Sequence, residues 1–261
     1  MLILLPQIEA LCRKTSAEIL SFYSNQSTLT ISQKSDNTPL TQADLLAHQQ
    51  LSSGLAAILP LPVVSEESKD YQPSDDYWLI DPIDGTREFI EQSGNFCICI
   101  ARICQQRPQF GLIYAPLSGH YWYAQAGAGA YHWDGQQHRR LQVQPRHHRL
   151  ITARPRISAA LKEFANALLG HDYEHKTKGS ALKFCLLAQG DADIYPKLVA
   201  ATNEWDIASG DIILHEAGGF FRFGDGSLPR YGTKASPLNP PFIACNDAAL
   251  LQRALALLAK K

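Results

Sequence analysis

The sequence predicts a mixed α/β protein with an α+β first part, and three observations carry that reading. Two helix-period stretches come early: one from Pro6 through Ile8, Leu11, Cys12, Thr15, Ile19 and Phe22, the other after Thr41 through Leu45, Leu51, Leu55 and Ile58. Strand-like runs then follow one another up to Trp133. From Leu150 onward helix-like and strand-like segments alternate, the pattern of an α/β arrangement. A chain of 261 residues, 45% of them hydrophobic, holds enough apolar side chain for one large domain or two moderate ones. We place a boundary in the basic stretch after Trp133, giving domains 1–145 and 146–261.

Composition excludes several function classes. A formal net charge of −1 argues against a nucleic-acid or bulk-membrane surface, and no apolar run approaches bilayer length. The six cysteines (Cys12, Cys97, Cys99, Cys104, Cys185, Cys245) form no C-x-x-C pair and have no histidine at ligand spacing. Cys97 and Cys99 lie in the apolar run Phe96–Ala101 and read as small hydrophobes of a buried strand. With no secretory signal, the expected compartment is the reducing cytoplasm.

Pro6 suits the first turn of the first helix. Residues 27–34 carry strand character, and 35–39 read as a loop. Thr41 and Asp44 have the spacing of a capping box opening the second helix. Leu61–Glu67 reads as a short strand ending in two acids, and Tyr77–Asp84 as a second strand ending in Asp81-Pro82-Ile83-Asp84. Gly85-Thr86 and the start of a helix at Glu88-Phe89-Ile90 follow. Strands over 96–104, 109–115 and 120–126 come next, then a hairpin around Asp134-Gly135. The basic residues His138-Arg139-Arg140 and Arg146-His147-His148-Arg149 read as a solvated connection. In the second half, Ser158–Leu169 is a helix stopped by Gly170. Gly179–Ala188 is a second helix, and Ala192–Pro196 a strand. A third helix follows Glu204-Trp205-Asp206, with Asp206 as its N-cap, and ends at Gly218-Gly219. Residues 220–223 and 242–245 are strands, and 248–258 a closing helix.

The chemistry concentrates where acids end strands. Carboxylates hold hard cations, while free N–H groups at a helix start hold anions such as phosphate. Strand-end acids beside Gly85-Thr86 therefore suggest a metal-dependent phosphate site. A loop cap built from Asp81 is the structural alternative.

Three motifs stand together: Glu66-Glu67, Asp81-Pro82-Ile83-Asp84-Gly85-Thr86, and Trp205-Asp206 before a helix ending in Gly-Gly. In that combination and order the chain resembles the inositol monophosphatase superfamily of lithium-sensitive, magnesium-dependent phosphomonoesterases. The runs Lys34–Asp44, Trp78–Ile90, Gly179–Leu186 and Thr202–Asp206 are most similar to its bacterial 3′(2′),5′-bisphosphate nucleotidases. The resemblance implies a layered αβαβα sandwich and hydrolysis of the 3′-phosphate of adenosine 3′,5′-bisphosphate, or of its 5′-phosphosulfate. The alternative it leaves is inositol monophosphatase or sugar bisphosphatase activity by the same chemistry. It implies two Mg²⁺ ions per site, or three: one on Glu66, Asp81 and the Ile83 carbonyl, one on Asp81, Asp84 and Asp206. Asp44, Glu67 and Thr86 are implied around the attacking water. Glu66, Gly85, Thr86, Ser180, Lys183, Lys197 and Asp206 are implied as substrate contacts. The implied partner is a small nucleotide, without nucleic acid or a transmembrane segment. Peripheral attachment on the cytoplasmic side of the inner membrane comes from the resemblance alone. Two departures bear on the substrate. Lys197 follows Tyr195-Pro196 where such nucleotidases have Arg, and Pro155-Arg156 replaces an expected Ser-His pair. A binding module that has lost catalysis would predict a broken acid set, and every matched acid is present.

Overall fold

The computed structural model describes residues 1–25, 30–33, 39–146 and 148–259. After a short turn of 3-10 helix (Leu2–Leu4), helix α1 runs Leu5–Ser24, and β1 (Ile31–Gln33) pairs with β2 (Pro39–Thr41). Helix α2 (Gln42–Ile58) follows. Seven strands then form one sheet in chain order: β3 (Val63–Ser65), β4 (Asp76–Asp84), β5 (Cys97–Cys104), β6 (Arg107–Ala115), β7 (His120–Gln125), β8 (Gly129–Trp133) and β9 (His138–Arg140). Only β3 and β4 pair in parallel; the rest is an antiparallel meander. Between β4 and β5 lies the five-residue helix α3 (Thr86–Ile90).

The second sheet has the order β11-β10-β12-β14-β13, built from β10 (Arg149–Thr152), β11 (Glu174–Thr177), β12 (Ile194–Lys197), β13 (Phe220–Phe223) and β14 (Phe242–Cys245). Its helices are α4 (Ala159–Leu169), α5 (Leu182–Ala188), α6 (Glu204–Glu216) and α7 (Ala248–Leu258).

Strand alternation assigns the layers, because successive side chains leave opposite faces of a sheet. Trp78 and Ile80 of β4 point into a cluster with Ile8, Cys12 and Ile19 of α1 and Ala47, Leu51 and Leu55 of α2. Tyr77 and Leu79 point the other way, into a cluster with Phe184 of α5, Ile212 of α6, and Tyr195 and Phe242 of the second sheet. That sheet's other face, Leu150, Ile194 and Ile243, packs on Phe164 of α4 and Leu250 of α7. The architecture is therefore helix, sheet, helix, sheet, helix, and the middle apolar cluster is shared by both halves. Helix α6 lies on the large sheet where Gly111 interrupts β6. A Cβ there would stand 2.5 Å from Ile212 and 2.9 Å from the Ser209 carbonyl, so only glycine lets the helix approach.

Several expectations change. The connection around Arg146–Arg149 is not solvated at its end: Arg149 is buried and its guanidinium grips Asp193 at 2.9–3.0 Å. Desolvating that pair demands full hydrogen bonding, and the N–H groups of residues 146, 148 and 149 also donate to the Asp193 carboxylate. His138–Arg140 is the exposed edge strand β9, where charged side chains discourage further pairing. The exposed and half-buried strand β11 has too little apolar alternation to announce itself. The turn between β5 and β6 is only Gln105-Gln106, both at positive φ; Arg107 and Pro108 already belong to β6. Helix α5 begins at Leu182, and Gly179–Ala181 is a turn with Ser180 at φ 53°. Asp206 is the third residue of α6, and Asn203 is its N-cap. Of the expected 27–34 strand only 30–33 falls inside the described residues, with 31–33 as β1, and of the 35–39 loop only Pro39 does.

Candidate active site

The carboxylates meet because β4 is irregular where Pro82 interrupts it. Asp81 pairs with Cys99, but Asp84 pairs with Cys97, so β4 holds one more residue than β5 across this interval. Proline has no N–H for the ladder and favours such bulges. The extra residue reverses the alternation, so Asp84 leaves the sheet on the same face as Asp81 while Ile83 faces the α1–α2 cluster. Glu66 arrives beside them at the end of β3, its N–H donating to the Ile80 carbonyl at 3.1 Å.

Two acids are carried by helix starts of the same design. In α2, Thr41 Oγ1 accepts from the Asp44 N–H (3.3 Å) while Asp44 Oδ2 accepts from the Thr41 N–H (2.7 Å) and hydroxyl (2.6 Å). In α6, Asn203 and Asp206 form the equivalent box, with the Asn203 N–H donating to Asp206 Oδ2 at 2.7 Å. The box thus fixes the rotamer of each acid. The Thr86 hydroxyl lies 3.1 Å from Asp44 Oδ1 and 3.2 Å from the Ile83 carbonyl. It therefore connects the buried Asp44 to the end of β4.

Carboxylate oxygens of Glu66, Asp81 and Asp206 lie within 4.8 Å of one another. Burial, and then repulsion from neighbouring acids, pushes the Asp81 and Asp206 carboxyls well above the ordinary range. Burial lifts Asp84 to about 6, against the pull of Lys183 and the Ala181 N–H, which donates at 2.5 Å. Acids crowded this way, Asp81 buried and the others half-buried, are stabilised by a cation between them, and an all-oxygen donor set suits a hard divalent ion.

Two adjoining cavities of about 350 and 210 Å³ open over these acids and share Asp84, Gly85, Glu88, Ala201 and Asp206. The larger also takes in Glu66, Asp81, Ile83 and Thr86. The smaller is lined by Ser180, Lys183, Tyr195 and Lys197. Lys183 is 5% exposed; its ammonium donates to the Ser180 carbonyl and lies 5.0 Å over the Tyr195 ring. Burial lowers its pKa, against the opposing influence of Asp84. Burial likewise lowers Lys197, against Asp206. Gly85 stands at φ 94° where the chain leaves β4 for α3, and a Cβ there would press on the Asn95 carbonyl at 3.1 Å. The structure thus brings Glu66, Asp81, Ile83, Asp84, Gly85, Thr86, Ser180, Lys183, Lys197 and Asp206 to one cleft. Asp44 reaches it through Thr86. Glu67 lines neither cavity, and its N–H donates to Ser65 Oγ.

Sequence reasoning overlooked Arg154 and gave Glu88 no role. Both line the cleft, with the guanidinium 3.6 Å from the Glu88 carboxylate. Position two residues beyond Thr86 was the available signal for Glu88. Arg154 had none, since only the fold brings the end of β10 to α3.

The family description "Inositol monophosphatase family" matches residues 4–260. The 3′(2′),5′-bisphosphate nucleotidase CysQ of Escherichia coli K12 is 36% identical over 249 residues, covering 92% of this chain and 98% of that protein. The crystal structure of CysQ from Bacteroides thetaiotaomicron superposes with a TM-score of 0.77 at 32% identity, covering 91% of this chain and 95% of that one. The Thermotoga maritima IMPase TM1415 superposes at 0.81 with 22% identity, over 100% and 99% of the two chains, a likeness of fold.

Proposed function

Since the chain belongs to the inositol monophosphatase family, we propose that it is a 3′(2′),5′-bisphosphate nucleotidase. In this reading it removes the 3′-phosphate of adenosine 3′,5′-bisphosphate in a Mg²⁺-dependent hydrolysis. The observation that carries the reading is the adjacency of two unlike environments in one cleft. A cluster of four acids (Glu66, Asp81, Asp84, Asp206) adjoins a recess carrying two cations, Lys183 and Lys197. A bisphosphorylated substrate needs both, one end for the phosphate that reacts and one for the phosphate that is only held.

The donor set fits Mg²⁺: Glu66, Asp81 and the Ile83 carbonyl would hold one ion, and Asp81, Asp84 and Asp206 a second. When bound, Mg²⁺ supplies charge neutralisation, water activation and leaving-group stabilisation for an in-line displacement. The chain's own residues do the positioning. A Thr86 hydroxyl that donates to Asp44 Oδ1 keeps its lone pairs free to accept from a water and aim it at phosphorus. The N–H groups of Gly85 and Thr86 are offered to phosphate oxygens at the turn into α3. We place Glu67 with Asp44 on the water side of the site. Lys183 and Ser180 face the nucleotide, and Lys197 holds the 5′-phosphate as a point charge rather than as a bidentate fork.

The test is phosphate release from adenosine 3′,5′-bisphosphate beside inositol 1-phosphate and fructose 1,6-bisphosphate, each with Mg²⁺ and with chelator. Preference for the nucleotide, abolished by chelator, is expected. Preference for either other substrate would overturn the substrate assignment, and turnover in chelator would overturn the metal dependence.

A further inference from the structure

Behind the acid cluster, on the side of Asp84 turned into the sheet, lie two thiols for which hydrolysis has no use. Cys97 and Cys99 are two residues apart on β5, so both leave the sheet on one face, and both are 1% exposed or less. Their sulfurs are 3.8 Å apart, and Asp84 Oδ2 stands 3.9 Å from Cys97 Sγ and 3.7 Å from Cys99 Sγ. The bulge at Pro82 creates this triangle by turning Asp84 onto the thiols' face.

The dimensions are those of a metal site. Zinc holds thiolates at about 2.3 Å and carboxylates at about 2.0–2.2 Å in a tetrahedron. Two sulfurs on such an ion are about 3.8 Å apart, and a sulfur and an oxygen about 3.5–3.7 Å. A point equidistant from three atoms with the observed separations is about 2.2 Å from each, within the tolerance expected of a preformed site. The Ala181 N–H fixes Asp84 Oδ2. Ser180 Oγ, which accepts from Cys97 Sγ at 3.3 Å, is on the side of the smaller cavity, which Ser180 lines.

We propose that Cys97, Cys99 and Asp84 form a second metal site, selective for soft or borderline divalent ions such as Zn²⁺ and Cd²⁺. Sulfur ligands separate it from the all-oxygen Mg²⁺ donors, because thiolates favour softer ions. Binding replaces two S–H protons, released to solvent, by two metal–sulfur bonds, with no change of oxidation state. Asp84 is common to both sites, so an ion on the thiols holds it away from the acid cluster and inhibits the phosphatase. This last consequence rests on the role proposed for Asp84, whereas binding does not.

Cd²⁺ titrated into the full chain in excess Mg²⁺, read by the ultraviolet thiolate-to-metal band, tests binding without any turnover. One equivalent should bind with the band, and Cys99→Ala should lose it while Cys104→Ser, altering the half-exposed cysteine, keeps it. A band unchanged in Cys99→Ala would overturn the site. Zn²⁺ X-ray absorption on the unaltered chain guards against a misfolded variant: two sulfurs at about 2.3 Å are expected, and an oxygen-only shell would refute it. For inhibition, Cys97→Ala and Cys99→Ala should raise the half-inhibiting Cd²⁺ concentration at least tenfold with Mg²⁺-dependent activity retained. An unchanged value beside a lost band would refute the link to Asp84 alone.

Discussion

Replacing Thr86 by valine separates two roles that meet on one carboxylate. The side chains are nearly the same size, so the change removes a hydroxyl and little else. In the native site that hydroxyl lies 3.1 Å from Asp44 Oδ1, while Asp44 Oδ2 is occupied by the Thr41 N–H and hydroxyl. Losing one hydrogen bond at a half-buried position that water can refill should cost about 1 kcal/mol of stability. Losing the group that aims the water should cost about 10²- to 10⁴-fold in kcat, or about 3–5 kcal/mol of transition-state stabilisation. Thr41→Ala is the matched control, because it weakens the cap of α2 by about 1 kcal/mol yet leaves the Thr86–Asp44 contact and the Thr41 N–H in place. Urea unfolding should therefore report similar losses for the two variants, while phosphate release should collapse only in Thr86→Val. If Thr86→Val keeps more than about a third of wild-type turnover, or if Thr41→Ala loses as much activity, the assigned role of Thr86 is wrong.

Three further outcomes are expected. Asp84→Asn should lower turnover by about 10³-fold or more while the far-ultraviolet circular dichroism is unchanged; retained turnover would refute the two-ion assignment. Lys183→Ala should raise KM for the nucleotide about tenfold or more relative to a small phosphate ester, about 1.4 kcal/mol, and equal effects would detach Lys183 from nucleotide recognition. Asp193 tests the fold instead. Its hydrogen bonds from Arg149, backbone and Asn246, opposed by burial, hold its carboxyl well below the ordinary range. A depressed folded pKa gives stability that is present above the unfolded value, about 3.9, and is lost as pH falls through the folded one. Asp193→Asn should therefore destabilise at neutral pH by about 3–5 kcal/mol and show a shallower stability loss below pH ~4; an unchanged acid slope would contradict the assignment.

The parts legible in the sequence were those with local causes. Helices α1, α2, α4 and α7 announced themselves by apolar period and by caps, and Glu66, Asp81 and Asp84 by their places at the ends of strands. What stayed hidden depends on partners distant in the chain. Nothing local distinguishes Arg149 from the exposed basic residues before it; only Asp193, 44 positions away, makes it a buried residue. Strand β11 has no apolar face of its own and exists because β10 offers an open edge. The three-residue shift at the α6 start arose because Asn203 and Asp206 are both good capping residues, and Asn203 holds the cap. The bulge at Pro82 was signalled by a proline inside a strand. Its effect on side-chain parity became apparent only from the pairing with β5.

The two capping boxes make positions 44 and 206 serve two unequal requirements. A helix start is content with Glu or Gln as the third residue of the box, and folding alone would let these positions drift to either. The proposed site asks for the shorter acid, since one added methylene displaces the carboxylate by about 1.5 Å. On the roles proposed for Asp44 and Asp206, variation there would erase activity while every measure of folding reads as native. A survey of this protein for damage by stability alone would pass over these two acids.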